Sequence, residues 1–218
     1  MVSYDTNHLT DYNNAAKTQT LFPTCTGTSV VGMKYCDGVV LAADMLISYG
    51  SLARYMDVER VVKVNDTTLM ACSGDIADFQ LLRKKVDERT HMDSLLSDGF
   101  KLGPRALHSW ITRVLYQRRS QMDPLWNTYI IGGLDQNEPY LGYCDLLAYR
   151  EDYMATGFGN YLAVPLLRQR MDELAAGDSK KLTEDAALGF VRKDGVEIRG
   201  PLKLECDWSV AEYVCGYD

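Results

Sequence analysis

The 218-residue chain lacks any apolar run near the roughly 20 residues that a membrane-spanning helix needs. Its first twenty residues, MVSYDTNHLTDYNNAAKTQT, hold no hydrophobic stretch of the kind a secretory signal requires. Neither a membrane anchor nor export is expected, and the match of Asn65-Asp66-Thr67 to a glycosylation sequon reads as accidental. Histidine is scarce: His8, His91 and His108 stand at no metal-ligand spacing, so no metal is expected. No C-x-x-C pair occurs among Cys25, Cys36, Cys72, Cys144, Cys206 and Cys215. Their scatter through apolar stretches predicts free, mostly buried thiols in a reducing compartment. Basic excess is missing too: the net charge of −7 argues against a general nucleic-acid binder. Two local clusters, Arg83-Lys84-Lys85 and Arg118-Arg119, fall in helix-like stretches and read as solvated or partner-facing surface. Gly157-Phe158-Gly159 lacks the third glycine and the β-α-β setting of a dinucleotide site, so no cofactor is expected.

What is present is an ordinary globular composition, 46% hydrophobic and 24% charged, long enough to bury a core. Residues 1–20 are polar and read as a mobile leader. Ser29–Tyr35 and Val39–Ala43 are strand-like and joined across Cys36-Asp37-Gly38, a strong hairpin signal. A second hairpin is expected from Arg60–Val64, a turn at Asn65-Asp66, and Thr67–Cys72. Both pairs are apolar on much of both faces, as in a sheet covered on each side.

Two helices should follow. Ser73-Gly74-Asp75 can start the first, with Ile76, Phe79, Leu82 and Val86 at intervals of three and four. Pro104 starts the second, which puts Leu107, Trp110, Ile111, Val114 and Leu115 on one stripe. Strands return at Asn127–Leu134 and Tyr140–Asp145 around the turn Asp135–Glu138. A further helix begins near Asn160 and carries Leu162, Leu166 and Leu167, with Pro165 limiting its first turn. Gly195–Gly200 holds a short strand. Like elements cluster along the chain, which predicts α+β layers rather than alternating β-α-β units.

Thr28–Asp44, Tyr49–Arg54, Ser73–Phe79 and Pro124–Asn127 together resemble the proteasome beta subunits, and the resemblance runs from about Lys17 to Asp218. The family implies a four-layer αββα sandwich, the N-terminal-nucleophile hydrolase fold, over residues 21–204. It also implies a seven-membered beta ring stacked on a second beta ring and on alpha rings, working in ubiquitin-dependent protein degradation in cytoplasm and nucleus. Its catalytic members free a threonine by self-cleavage after glycine, and that hydroxyl attacks the peptide carbonyl while the freed amine relays the proton.

Carried onto this sequence, Gly27-Thr28 falls on the cleavage site and nucleophile, Asp44 on the catalytic aspartate and Gly74 on the oxyanion glycine. The catalytic lysine position holds Arg60. Arginine stays protonated and is larger and planar, so it cannot lose a proton to assist attack. The glycine-rich turn that supports the amine reads Thr156-Gly157-Phe158-Gly159-Asn160, with Phe158 and Asn160 where small hydroxyl residues are expected. Departures within one constellation compound each other. Two readings follow: a structural, non-catalytic ring subunit, or a threonine protease using Thr28. The family also has a helix, an aspartate-bearing loop and a strand between the counterparts of Leu188 and Lys193, a segment of about 20 residues whose loss would leave a neighbouring strand's ladder unpaired. The tail 205–218 offers Trp208, Tyr213 and Tyr217 as aromatic anchors for another subunit; in the family branch that this chain resembles, it reaches the opposite beta ring. The same branch is trimmed upstream of the glycine-threonine bond, which corresponds to Lys17-Thr18-Gln19 here.

Overall fold

The computed structural model describes residues 20–96, 99, 101–182, 190–192 and 195–198. The strands are β1 (Cys25–Gly27), β2 (Val30–Tyr35), β3 (Gly38–Ala43), β4 (Ile47–Tyr49), β5 (Leu52–Tyr55), β6 (Val61–Asn65) and β7 (Thr68–Asp75). Helices α1 (Ile76–Leu96) and α2 (Pro104–Ser120) come next. Then follow β8 (Asn127–Asp135), β9 (Glu138–Cys144), β10 (Ala148–Arg150), β11 (Tyr153–Ala155), α3 (Gly159–Ala175), β12 (Phe190–Arg192) and β13 (Gly195–Glu197).

Eight strands make one sheet, ordered β10-β9-β8-β7-β1-β4-β5, with β6 sharing with β1 the same side of β7. Five make the other, ordered β11-β2-β3-β12-β13. Every pairing is antiparallel. The Asp37-Gly38 turn sets the β2–β3 register from Tyr35↔Gly38 to Val30↔Ala43, as the hairpin signal predicts.

Three apolar layers separate four structural ones. The first lies between α1, α2 and the eight-stranded sheet and contains Phe79, Leu82, Val86, Leu107, Ile111, Leu115, Tyr129 and Ile131. The second joins the two sheets: Val30, Val39 and Leu41 from one meet Leu69, Ala71, Ile130, Leu134 and Leu141 from the other. The third joins Met33, Tyr35 and Val40 to Met171 and Ala175 of α3 and to Leu182. The expected αββα sandwich is the observed fold.

Local chemistry sets the helix starts. Ser73 and Gly74 end β7 rather than opening α1, and the carboxylate of Asp75 accepts from the Ala77 and Asp78 amides at 2.8 and 3.3 Å. On α2 the residues expected inside are buried, apart from Trp110, which packs partly buried against them. His108, also buried, adds polar bonds. Its Nε2 donates to the Tyr143 carbonyl at 2.7 Å, which leaves Nδ1 to accept from the Tyr140 hydroxyl at 2.8 Å.

The helix expected near Asn160 is α3, although most of its apolar residues face outward. Leu162 and Leu166 are 71% and 62% exposed, and the buried members are Gly159, Met171 and Ala175. Of the three leucines only Leu167 packs, partly buried, against the third apolar layer. The helix also continues past Pro165, whose missing N–H deprives only the exposed Tyr161 carbonyl, which water can reach. Of the cysteines, Cys72 and Cys144 are buried, and burial pushes the Cys144 thiol up to about 12. Cys25 and Cys36 are half-buried, so the thiols are less uniformly interior than expected. Cys206, Cys215 and the leader before Thr20 lie outside the described residues.

Two outcomes test this packing. A Cβ at Gly32 would stand 2.9 Å from Leu41 Cδ2 and 3.1 Å from Ile130 Cγ2, between the two sheets. Gly32→Ala is expected to lower stability by about 1–3 kcal/mol through overpacking, read as a lower urea midpoint. Burial holds the His108 pKa below its ordinary value, with the Arg150 charge adding and the Tyr143 carbonyl opposing. The unfolded chain therefore binds the proton more readily. Stability should be full above about pH 6.5 and fall as pH drops below that value, and His108→Gln should flatten this slope.

Candidate functional site

Three sequence-predicted residues converge beside the mouth of β1. Thr28 follows β1 directly, Asp44 follows β3, and Arg60 precedes β6. The Thr28 hydroxyl donates to Asp44 Oδ2, while Asp44 Oδ1 accepts from Arg60 Nη2. Asp44 also takes the Leu46 amide at 3.2 Å, which fixes the turn after β3. Arg60 is 2% exposed, whereas Asp44 is 47% exposed. The arginine is thus the interior member of this pair and the aspartate its solvent-facing member.

Backbone oxygens account for most of the arginine's bonding. Nε donates to the Asp44 carbonyl at 3.0 Å, and Nη1 to the carbonyls of Thr28 and Cys72 at 2.8 and 3.1 Å. Nη2 reaches the Ser29 carbonyl at 3.4 Å besides the Asp44 carboxylate. A planar fork with five N–H groups can serve acceptors spread over β2, β3 and β7 in this way; a single ammonium cannot.

Gly74 lies across from Gly27 in the β1–β7 register, one residue from Thr28. Its φ is +99°, and a Cβ there would fall 2.2 Å from the Trp126 carbonyl, so the position admits glycine alone. The fifth expected position, Asn160, is exposed on the first turn of α3 and lines a groove with Val164, Pro165 and Arg168. From that stretch, Thr156 and Gly159 reach the threonine's neighbours. Thr156 Oγ1 accepts from the Val30 amide at 2.9 Å, and Ser29 Oγ accepts from the Gly159 amide at 2.8 Å. Phe158, at 82% exposed, points into solvent.

Residues upstream of Thr28 fill a strand-wide slot. Cys25, Thr26 and Gly27 pair with Tyr49, Ser48 and Ile47 on one side, and Thr26 and Gly27 with Asp75 and Gly74 on the other. The segment before β1 is also tied down: the Thr24 amide donates to Asp75 Oδ2 at 3.1 Å, and the Thr20 hydroxyl donates to Asp78 Oδ1 at 3.0 Å. Trp126 closes this arrangement by donating its Nε1 to the Thr20 carbonyl at 2.9 Å and its amide to Asp78 Oδ2 at 2.8 Å. Burial raises the Asp78 pKa, opposed by these donors. The aromatic tail residues Trp208, Tyr213 and Tyr217 lie outside the described residues.

The family model described as Proteasome subunit matches residues 24–197, which span both antiparallel sheets and the glycine-threonine step. The chain belongs to that family. It is 44% identical to Proteasome subunit beta type-4 of Xenopus laevis over 219 residues, covering 91% of this chain and 90% of the relative. Proteins of the same name from Arabidopsis thaliana and Drosophila melanogaster are 38% and 39% identical, over 89% and 88% of this chain and 87% and 80% of their own lengths. Since 91% of 218 residues is about 198 and the Xenopus match runs over 219, about 21 positions of the alignment have no counterpart here.

Proposed function

We propose that this subunit is structural and does not cleave peptides: it closes a beta ring of the 20S core, meets neighbours in its own ring, the opposite beta ring and an alpha ring, and serves protein degradation in cytoplasm and nucleus. Its relatives named beta type-4 support the subunit assignment. The observation that carries the non-catalytic reading is Arg60. It is buried, its guanidinium is bonded to four backbone carbonyls and a carboxylate, and it stays protonated at any physiological pH. A lysine in its place could shift its pKa and take part in proton transfer; this group is a permanent cation whose donors are engaged.

One contact favours the alternative, a threonine protease acting through Thr28: the hydroxyl donates to Asp44 and is exposed. That bond orients the hydroxyl, and the same carboxylate is engaged by the Arg60 guanidinium.

An epoxyketone or vinyl-sulfone probe applied to intact particles should label sibling subunits and leave this chain unlabelled, and the mature chain should begin upstream of Thr28, near Thr18. A covalent adduct on Thr28, or an N-terminus at Thr28, would overturn the reading. The tail is assigned to the opposite ring. Truncation after Leu204 should leave the domain folded while half-particles accumulate several-fold, measured by sedimentation; unchanged yields of complete particles would assign the tail to its own domain.

A further inference from the structure

We infer that Arg60 is a positioning residue that clasps the strand before Thr28 into the eight-stranded sheet, and that Gly27 and Arg60 form one size-matched unit. This rests on the reading of the chain as an unreacting subunit and says what the arginine does there instead. A three-residue strand such as β1 has little hold of its own, and all three of its residues are only half-buried. Something must keep it between β4 and β7.

Arg60 acts on that strand in two ways. Its aliphatic stem lies against the face of Gly27: a Cβ at Gly27 would stand 2.6 Å from Arg60 Cδ, 3.0 Å from Nη1 and 3.1 Å from Nε. Cβ atoms essentially never come within 3.0 Å of another heavy atom, so a side chain at Gly27 would force the arginine stem to shift. Beyond the stem, Nη1 bonds the carbonyl of Thr28 and that of Cys72, tying the residue after β1 to β7. The arginine's own carbonyl accepts from the Cys72 amide at 3.0 Å, which anchors the base of the clasp on the same strand. The remaining donors hold Ser29 and Asp44. The chain is therefore gripped on both sides of the Gly27–Thr28 bond by one side chain.

A lysine at position 60 would keep the charge and lose the fork. Its ammonium can approach Asp44 but cannot reach the Thr28, Ser29, Asp44 and Cys72 carbonyls together. Charge is consequently a poor substitute for shape at this position, and the strand should loosen although the ion pair survives.

The test is hydrogen–deuterium exchange by mass spectrometry on assembled particles carrying Arg60→Lys, Gly27→Ala, or both. R60K should speed exchange of peptides spanning Thr24–Ser29 at least tenfold and leave Tyr129–Leu134 unchanged. G27A should give the same signature by displacing the guanidinium, and should add less than twofold when lysine is already at position 60, because a stem without the fork's bonds is free to move aside. Wild-type exchange at Thr24–Ser29 in R60K, or an equal G27A effect in both backgrounds, would overturn the inference. If R60K chains do not enter particles, G27A decides alone: fast exchange confined to Thr24–Ser29 supports the clasp, and unaltered exchange refutes it. Probe labelling of wild-type Thr28 is a separate result that would overturn the non-catalytic reading and leave the exchange data to stand for themselves.

Discussion

Close contact between the two sheets is the constraint on which everything else depends. Val30, Val39 and Leu41 can meet Ile130, Leu134 and Leu141 only where the strands carry small residues at the points of nearest approach. Gly132 meets that need from the opposite sheet, where a Cβ would fall 2.9 Å from Val39 Cγ1. A fully buried layer of branched and leucine side chains supplies much of the hydrophobic stabilisation, and interior density makes it intolerant of even one added methyl. With the sheets locked, β2 and β3 deliver Thr28 and Asp44 to the same end of the sandwich, and β7 brings Gly74 opposite Gly27. The site is a by-product of sheet register.

At that end, solvent access differs sharply across a few ångströms. Asp44 is half-exposed, and its carboxylate is one contact among several for an almost fully buried guanidinium. The exposed side of the pair contributes little to stability by itself, whereas removing the arginine would leave backbone carbonyls without donors in the interior. Much of the local order therefore flows from a side chain to main-chain oxygens rather than from charge to charge.

The long elements and the two principal hairpins could be read from the sequence because their signals are local. Asp37-Gly38 and Asn65-Asp66 announce turns, and the stripe Leu107–Leu115 announces a buried face. Strands β1, β4, β5, β10, β11 and β12 were not legible. Each has three or four residues, too few for a periodic signal, and some pair with distant chain, as when Cys25 meets Tyr49 or Tyr153 meets Met33. The site divides similarly. Thr28, Asp44, Arg60 and Gly74 were found through a family pattern, and they do assemble. Asn160 was placed with them, but helix geometry turns it onto a groove while Thr156 and Gly159 turn inward. Ser29 and Trp126 fall inside the matched motifs but were given no role, since one acts through a hydroxyl at a strand start and the other largely through its backbone.

Helix α3 carries Phe158 at its N-cap, and Tyr161, Leu162 and Leu166 along its first two turns, all more than half exposed. Four large apolar groups so close together form a surface that water wets poorly. A separated chain carries that apolar surface alongside its net charge of −7. Polar replacements at Leu162 and Leu166 offer the direct route to a tractable soluble chain, because neither side chain belongs to any of the three buried layers.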